Sequence, residues 1–193
     1  MRSWNVLIVG LLLGANLLGW AALNRPVEGE SWQGVIKGVS FSPFRQGQNP
    51  EKGTFPSPEQ LDADLALLSG TVRRVRTYSA HEAFAPIPAL ARKHGLKVTA
   101  GAWISPIEKD NDQEVARLVR MANANGNVDR VLVGNEALLR KDVSVNQLIG
   151  YIEAVRRQVK VPVSTSEPWH IWLKYPRLAD HVQYIGVHIL PYW

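Results

Sequence analysis

The sequence predicts an α/β fold in which a parallel sheet is covered by helices. Three observations carry that prediction. Apolar runs of strand length alternate with segments of helical periodicity in six units, recurring roughly every 25–30 residues. The strand runs are continuously apolar, as strands buried on both faces of a parallel sheet are. Several helical segments also carry start or stop signals, a Ser-Pro opening or a closing Gly.

The elements follow in order. Val35 to Phe41 is the first strand. Ser57-Pro58-Glu59 opens a helix with an N-cap Ser, Pro at the first position and an acid in the first turn; Leu61, Leu65 and Leu68 then recur at helical spacing up to Gly70. Val72 to Thr77 is the second strand, and Ile87 to His94 a short helix stopped by Gly95. Lys97 to Ala102 is the third strand. Asp110 to Asn125 follows as a helix with Val115, Leu118, Val119 and Ala122 on one face. Val128 to Val133 is the fourth strand, and Ser144 to Val159 a helix with Leu148, Ile152 and Val155 in register. Val161 to Thr165 and Tyr184 to Leu190 are the fifth and sixth strands. Two architectures compete for this pattern, an open doubly wound sheet and a closed eight-stranded barrel. No Gly-x-Gly-x-x-Gly follows the first strand and no Gly-x-x-x-x-Gly-Lys occurs, so a nucleotide-binding open sheet lacks its usual support. A closed barrel takes eight units in about 250 residues, and this chain has 193.

Composition narrows the chemistry. A hydrophobic fraction of 46% suits a globular core and excludes general disorder. There is no cysteine, which excludes disulfides, thiolate metal sites and a cysteine nucleophile. The net charge of +5 is modest and its basic residues are scattered, so no nucleic-acid partner is expected. Seven Trp exceed what packing alone needs in a chain of this size.

Residues 1–25 read as a transmembrane anchor or signal segment. Val6 to Leu23 has no ionisable side chain, and its 18 residues at 1.5 Å rise would cover about 27 Å of the hydrocarbon core. Trp4 and Trp20 lie near its ends, where indoles favour the headgroup level. The length favours an anchor in the inner (cell) membrane, with Arg2 holding the N-terminus inside and the remainder facing the periplasm or exterior. The alternative is a signal peptide cleaved around Ala21-Ala22 and a secreted product. A linker is expected over residues 26–34, and the α/β domain over 35–193.

In either architecture, functional residues collect at the carboxyl ends of the strands. Those ends read Arg76-Thr77-Tyr78, Trp103, Asn135-Glu136, Glu167-Pro168-Trp169-His170, and His188 to Trp193. Carboxylates, an amide, Arg, His and flat aromatic rings suit a neutral polyhydroxylated ligand better than a phosphate, which would want Gly-rich turns. The histidines show no metal-ligand spacing on one element, so neither a metal nor a cofactor is expected.

The ordered set Arg76-Thr77-Tyr78-Ser79, Val131-Leu132-Val133-Gly134-Asn135-Glu136 and His188-Ile189-Leu190-Pro191-Tyr192-Trp193 resembles glycoside hydrolase family 17 from Lys37 to Trp193. Bacterial β-1,3-glucanases and transglycosylases are its nearest members. The resemblance implies a (β/α)8 TIM barrel, incomplete here with about six of eight βα units. It implies retaining hydrolase or transglycosylase chemistry on β-glucan with Glu136 as acid/base, and Asn135 on the neighbouring sugar hydroxyl. The nucleophilic Glu of the family belongs at the end of a seventh strand, which is not among the six read here. Arg76, Tyr78, Trp103, Glu167, Trp169, His188, Tyr192 and Trp193 are the remaining candidates for substrate contact. Trp172 and Tyr175 are expected to pack. Two alternatives stay beside this reading: a non-catalytic glucan-binding module or inactive fragment of a membrane glucan synthase/hydrolase fusion, and an unrelated open-sheet α/β enzyme.

Overall fold

The computed structural model describes residues 2–26, 29 and 34–190. The chain divides into two compact units, Met1–Gly34 and Val35–Trp193. Most of the linker expected over 26–34 lies outside the described residues.

The first unit is one helix, α1 (Arg2–Leu23). Its segment Ser3–Leu23 is long and apolar enough to cross a membrane. Trp4, Leu11, Leu18 and Trp20 of α1 are all well exposed.

The second unit holds six strands: β1 (Val39–Ser40), β2 (Arg74–Arg76), β3 (Lys97–Ala102), β4 (Val128–Asn135), β5 (Val163–Pro168) and β6 (Gly186–His188). Every strand pairs in parallel with the next in sequence, giving the order β1-β2-β3-β4-β5-β6. A doubly wound sheet reverses its strand order at a switch point, and this one never does. The sheet curls into a half-barrel with helices on its outside. That settles the competition in favour of an incomplete barrel and overturns the open-sheet alternative.

The connecting helices are α2 (Pro58–Leu68), α3 (Ile87–Lys93), α4 (Glu108–Ala124), α5 (Val145–Arg156) and α6 (Trp169–Lys174). Ser57 caps α2 by accepting from the Gln60 amide, and Ser144 forms a full capping box with Gln147 on α5. Leu61 and Leu65 of α2, Leu118 of α4, and Leu148 and Ile152 of α5 are completely buried against Val75, Val98, Val131 and Val163 of the strands.

Strand lengths differ from the sequence reading. The first strand shortens to two residues and the sixth to three. β5 moves two residues later at its start and runs to Pro168, which puts Glu167 inside a strand. All six residues of β5 are buried although four of them, Ser164 to Glu167, are polar. Their polar groups find partners: Ser164 Oγ donates to the Tyr184 carbonyl at 2.5 Å, and Thr165 Oγ1 to the Gly134 carbonyl at 3.4 Å. The sequence reading ended this strand at Thr165, two residues before Glu167. The short α6 was not expected; Trp172 on it is buried and donates its indole N–H to the Gly186 carbonyl at 3.0 Å, so it packs as predicted.

Strand spacing makes a sharp demand at Gly186. A Cβ there would stand 2.3 Å from the Thr165 carbonyl oxygen on β5. Gly186→Ala therefore forces the β5–β6 pairing apart and should destabilise the domain by about 2–3 kcal/mol in urea unfolding. Gly150 is the matched control: it lies in α5 with nothing within 4 Å of its would-be Cβ, so Gly150→Ala should stabilise by about 0.5–1 kcal/mol. Equal midpoints for the two variants would refute the packing argument.

Candidate active site

The site grows from an irregularity at the end of β4. The β4–β5 register shifts between Leu132 and Asn135, and Gly134 takes φ 85°. Glu136 follows with φ 56°, a left-handed conformation that a non-glycine residue seldom adopts and that costs about 1–3 kcal/mol. Its backbone is held there from two sides. The Glu136 amide donates to the Ser166 carbonyl at 2.7 Å, and its carbonyl accepts from the Arg140 amide at 2.8 Å. The turn aims the carboxylate toward the carboxyl ends of β2 and β6.

There it meets four of the residues selected from the sequence. Glu136 Oε1 lies 2.6 Å from His188 Nδ1 of β6. The other ring nitrogen, Nε2, is 2.8 Å from Ser166 Oγ and 3.3 Å from Arg76 Nη1. Arg76 also donates through Nη2 to Asn135 Oδ1 at 2.6 Å and lies over the Tyr78 ring at 4.8 Å. Burial pulls the Arg76 guanidinium below its ordinary value, opposed by Tyr78, Tyr184 and Glu136. Arg76 Nε is buried with no acceptor among the described residues. Arg76, Tyr78, Asn135, Glu136 and His188, drawn from β2, β4 and β6 and the turns after them, form one network. The Glu136 and His188 side chains keep 28% and 20% of their surface exposed, enough for a ligand to reach them.

Two further aromatic candidates, Trp103 and Trp169, lie among the described residues. Trp103, after β3, is 38% exposed, with the Arg140 guanidinium 4.1 Å from its ring centre. Arg140 reaches the Asn135 carbonyl through Nη1 and the Ile104 carbonyl at 2.9 Å through Nη2, linking the Trp103 loop to the Asn135-Glu136 turn. Trp169 is about half exposed after β5 and approaches the neighbouring His170 ring edge-on. Tyr192 and Trp193 lie outside the described residues.

Glu167 differs from its expected part. It was read as a substrate contact, and it is fully buried. Its carboxylate accepts from the backbone N–H of Leu138 at 2.8 Å and of Leu139 at 3.3 Å, both in the turn after Glu136. Burial pushes its pKa up to about 7, against the lowering pull of those two N–H groups and Arg140. Glu167 braces the Glu136 turn from below, its carboxylate committed to those two amides.

Three contributors escaped the sequence reading. Ser166 sits inside a strand that had been ended one residue earlier. Arg140 follows Glu136 by four residues in a segment without periodicity. Glu114, on α4, is buried and accepts from Ser79 Oγ at 2.7 Å, the Ala80 amide at 2.7 Å and the Trp103 amide at 2.9 Å, pinning the loops after β2 and β3 together. One acid among four on α4, with Glu108, Asp110 and Asp112, gives no signal that it turns inward.

A carboxylate thus stands at the end of the fourth strand of a curled parallel sheet, beside Asn, Arg and His. The chain belongs to the family of the BtgE/BtgC glycoside hydrolase domain, which it matches over residues 38–193. It is 26% identical over 168 residues to proteins of Aspergillus flavus and Aspergillus oryzae, each called a probable beta-glucosidase btgE. The alignment takes in 83% of this chain and 27% of theirs, so the chain spans about a quarter of their length. Among solved structures it resembles a Rhizomucor miehei beta-1,3-glucanosyltransferase, an active-site mutant in complex with laminaritriose, with TM-score 0.68 and 25% identity. That match covers 82% of this chain and 58% of the fungal one. A second structure from the same organism, described as a glycoside hydrolase family 17 beta-1,3-glucanosyltransferase, gives the same TM-score at 24% identity. The resemblance to family 17 drawn from the strand-end motifs therefore holds.

Proposed function

We propose that this chain carries the acid/base half of a retaining active site for β-1,3-linked glucan, working by hydrolysis or by transfer to an acceptor sugar. The observation that carries it is the Glu136 carboxylate, in a left-handed turn at the strand end, partly exposed and held by His188 beside an Asn135 that Arg76 orients. In this reading Glu136 gives its proton to the glycosidic oxygen as the leaving sugar departs. It then takes a proton from the incoming water or sugar hydroxyl. The laminaritriose bound by the Rhizomucor miehei protein supports a β-1,3-glucan as ligand. Trp103 and Trp169 supply indole faces for sugar rings.

Retaining chemistry needs a second carboxylate about 5–5.5 Å from the first. Glu167 does not serve, because it is buried and committed to two backbone amides. The nucleophile belongs instead to a seventh strand beyond β6. The unpartnered Nε–H of Arg76 is a donor that such a carboxylate would satisfy.

Two measurements test the proposal. Laminaritriose titrated into the chain should perturb the resonances of Trp103, Glu136 and His188. The chain should then gain β-1,3-glucan turnover when extended with the part of the Rhizomucor miehei protein that it does not cover. Binding without turnover in the extended form would make the domain a glucan-binding module, and no binding would refute the substrate class.

We also propose that α1 anchors the protein in the inner membrane with the domain outside. The full chain should sediment with membranes and resist carbonate extraction. A soluble mature form beginning near Asn24 would establish cleavage and secretion instead.

A further inference from the structure

Resting on the acid/base reading of Glu136, we propose that His188 is a positioning residue locked by Arg76 as its Nδ1–H tautomer, which dedicates Glu136 Oε2 to carrying the catalytic proton. The argument is one of donors and acceptors. Imidazole Nε2 faces Arg76 Nη1 at 3.3 Å and Ser166 Oγ at 2.8 Å. A guanidinium only donates, so in the neutral ring the nitrogen facing it must be the acceptor. The Ser166 hydroxyl donates or accepts by rotating, and adapts to that choice. With Nε2 accepting, the ring proton sits on Nδ1, 2.6 Å from Glu136 Oε1, and His188 donates to the carboxylate.

This decides between the two oxygens of Glu136. Oε1 accepts from His188, so a proton added to the carboxyl goes to Oε2. The acid step then breaks the Oε2–H bond and forms an O–H bond on the leaving sugar oxygen, the electrons of the glycosidic bond leaving with that oxygen. The base step returns a proton from water or an acceptor hydroxyl to the same Oε2. His188 neither gains nor loses a proton in either step. Arg76 thus acts on the acid through two arms, Nη1 to His188 and Nη2 to Asn135.

The tautomer is readable without substrate, by two-bond 1H–15N correlation on the 15N-histidine-labelled full chain; the His188→Asn spectrum assigns the signal among the five histidines. In the neutral ring the parent should show a protonated Nδ1 and a bare Nε2, the Nδ1–H form dominating by about tenfold or more. Arg76→Gln, whose amide can accept as well as donate, should bring the two tautomers within about threefold of each other. The four other histidine signals report whether that variant is folded; if it is not, Ser166→Ala should keep the Nδ1–H form, since Arg76 still faces Nε2. A protonated Nε2 in the neutral parent ring, or a mixture that Arg76→Gln leaves unchanged, would overturn the proposal.

A second readout uses the glucan-active extended form. The side-chain amide introduced by His188→Asn can replace Nδ1–H, whereas the longer one of His188→Gln reaches toward the place of Nε2. His188→Asn should therefore keep kcat within about tenfold, with His188→Gln slower still; the reverse order would refute the assignment. Absence of turnover in the parent extended form would refute the catalytic reading and not the tautomer, which the resonance experiment decides alone.

Discussion

Glu136→Gln in the glucan-active extended form should lower kcat on natural β-1,3-glucan by a factor of about 10² to 10⁴. The amide has no proton acidic enough for the glycosidic oxygen, so the departing sugar leaves as a poor anion. An aryl glucoside with a good leaving group needs little protonation, and its first step should slow far less. The second step should then limit, because the same residue also activates water. Azide attacks the glycosyl-enzyme without a base and should restore the rate, giving a glycosyl azide. Gln can adopt the φ of 56° at the same backbone cost as Glu and can still accept from His188, so the fold should be retained. If azide gave no rescue while turnover was lost, Glu136 would not be the acid/base. In the unextended chain the substitution should change no turnover. Strong activity there, abolished by Glu167→Gln, would instead make Glu167 the nucleophile.

Glu167→Gln should change stability in a pH-dependent way. The folded protein holds this carboxyl at about 7, against an ordinary value of 4.5. A raised carboxyl pKa means that the folded state binds the proton more tightly than the unfolded state. Stability from this group is therefore full below about pH 4.5 and declines as pH rises to about 7. The difference between 4.5 and about 7 corresponds to about 3 kcal/mol across that window. Urea unfolding of parent and variant from pH 4.5 to 8 should show the difference in stability moving by about that amount in favour of the variant. At low pH the parent should be the more stable, because one amide oxygen cannot serve both the Leu138 and Leu139 N–H groups. Parallel curves would mean that the buried carboxyl does not titrate in this range.

The fold class and most of the site could be read from the sequence because both follow from periodicity and position. Leu61, Leu65, Leu118, Leu148 and Ile152 announce their helices by spacing, and all five are fully buried. Arg76, Asn135, Glu136 and His188 are found by asking what stands at the ends of parallel strands. What could not be read is what depends on tertiary partners. Ser166 and Glu167 look like loop beyond the fifth strand until the His188 ring and the Leu138 and Leu139 amides are there to meet them. Glu167 resembles the other strand-end acids in sequence, yet it faces inward because its strand runs past it to Pro168. Glu114 is indistinguishable from its acidic neighbours on α4 until three donors from two loops converge on it.

The unbroken strand order has a consequence for biosynthesis. Because spatial neighbours in the sheet are also successive in the chain, each strand leaving the ribosome meets an edge already laid down by its predecessor. The closures are short in sequence, so assembly can keep pace with translation at about 5–20 residues per second. The Glu136 turn, however, is finished late. Its brace Glu167 and its partner His188 emerge some thirty and fifty residues after Glu136, so nascent chains halted before β5 should carry a folded edge but an unformed site.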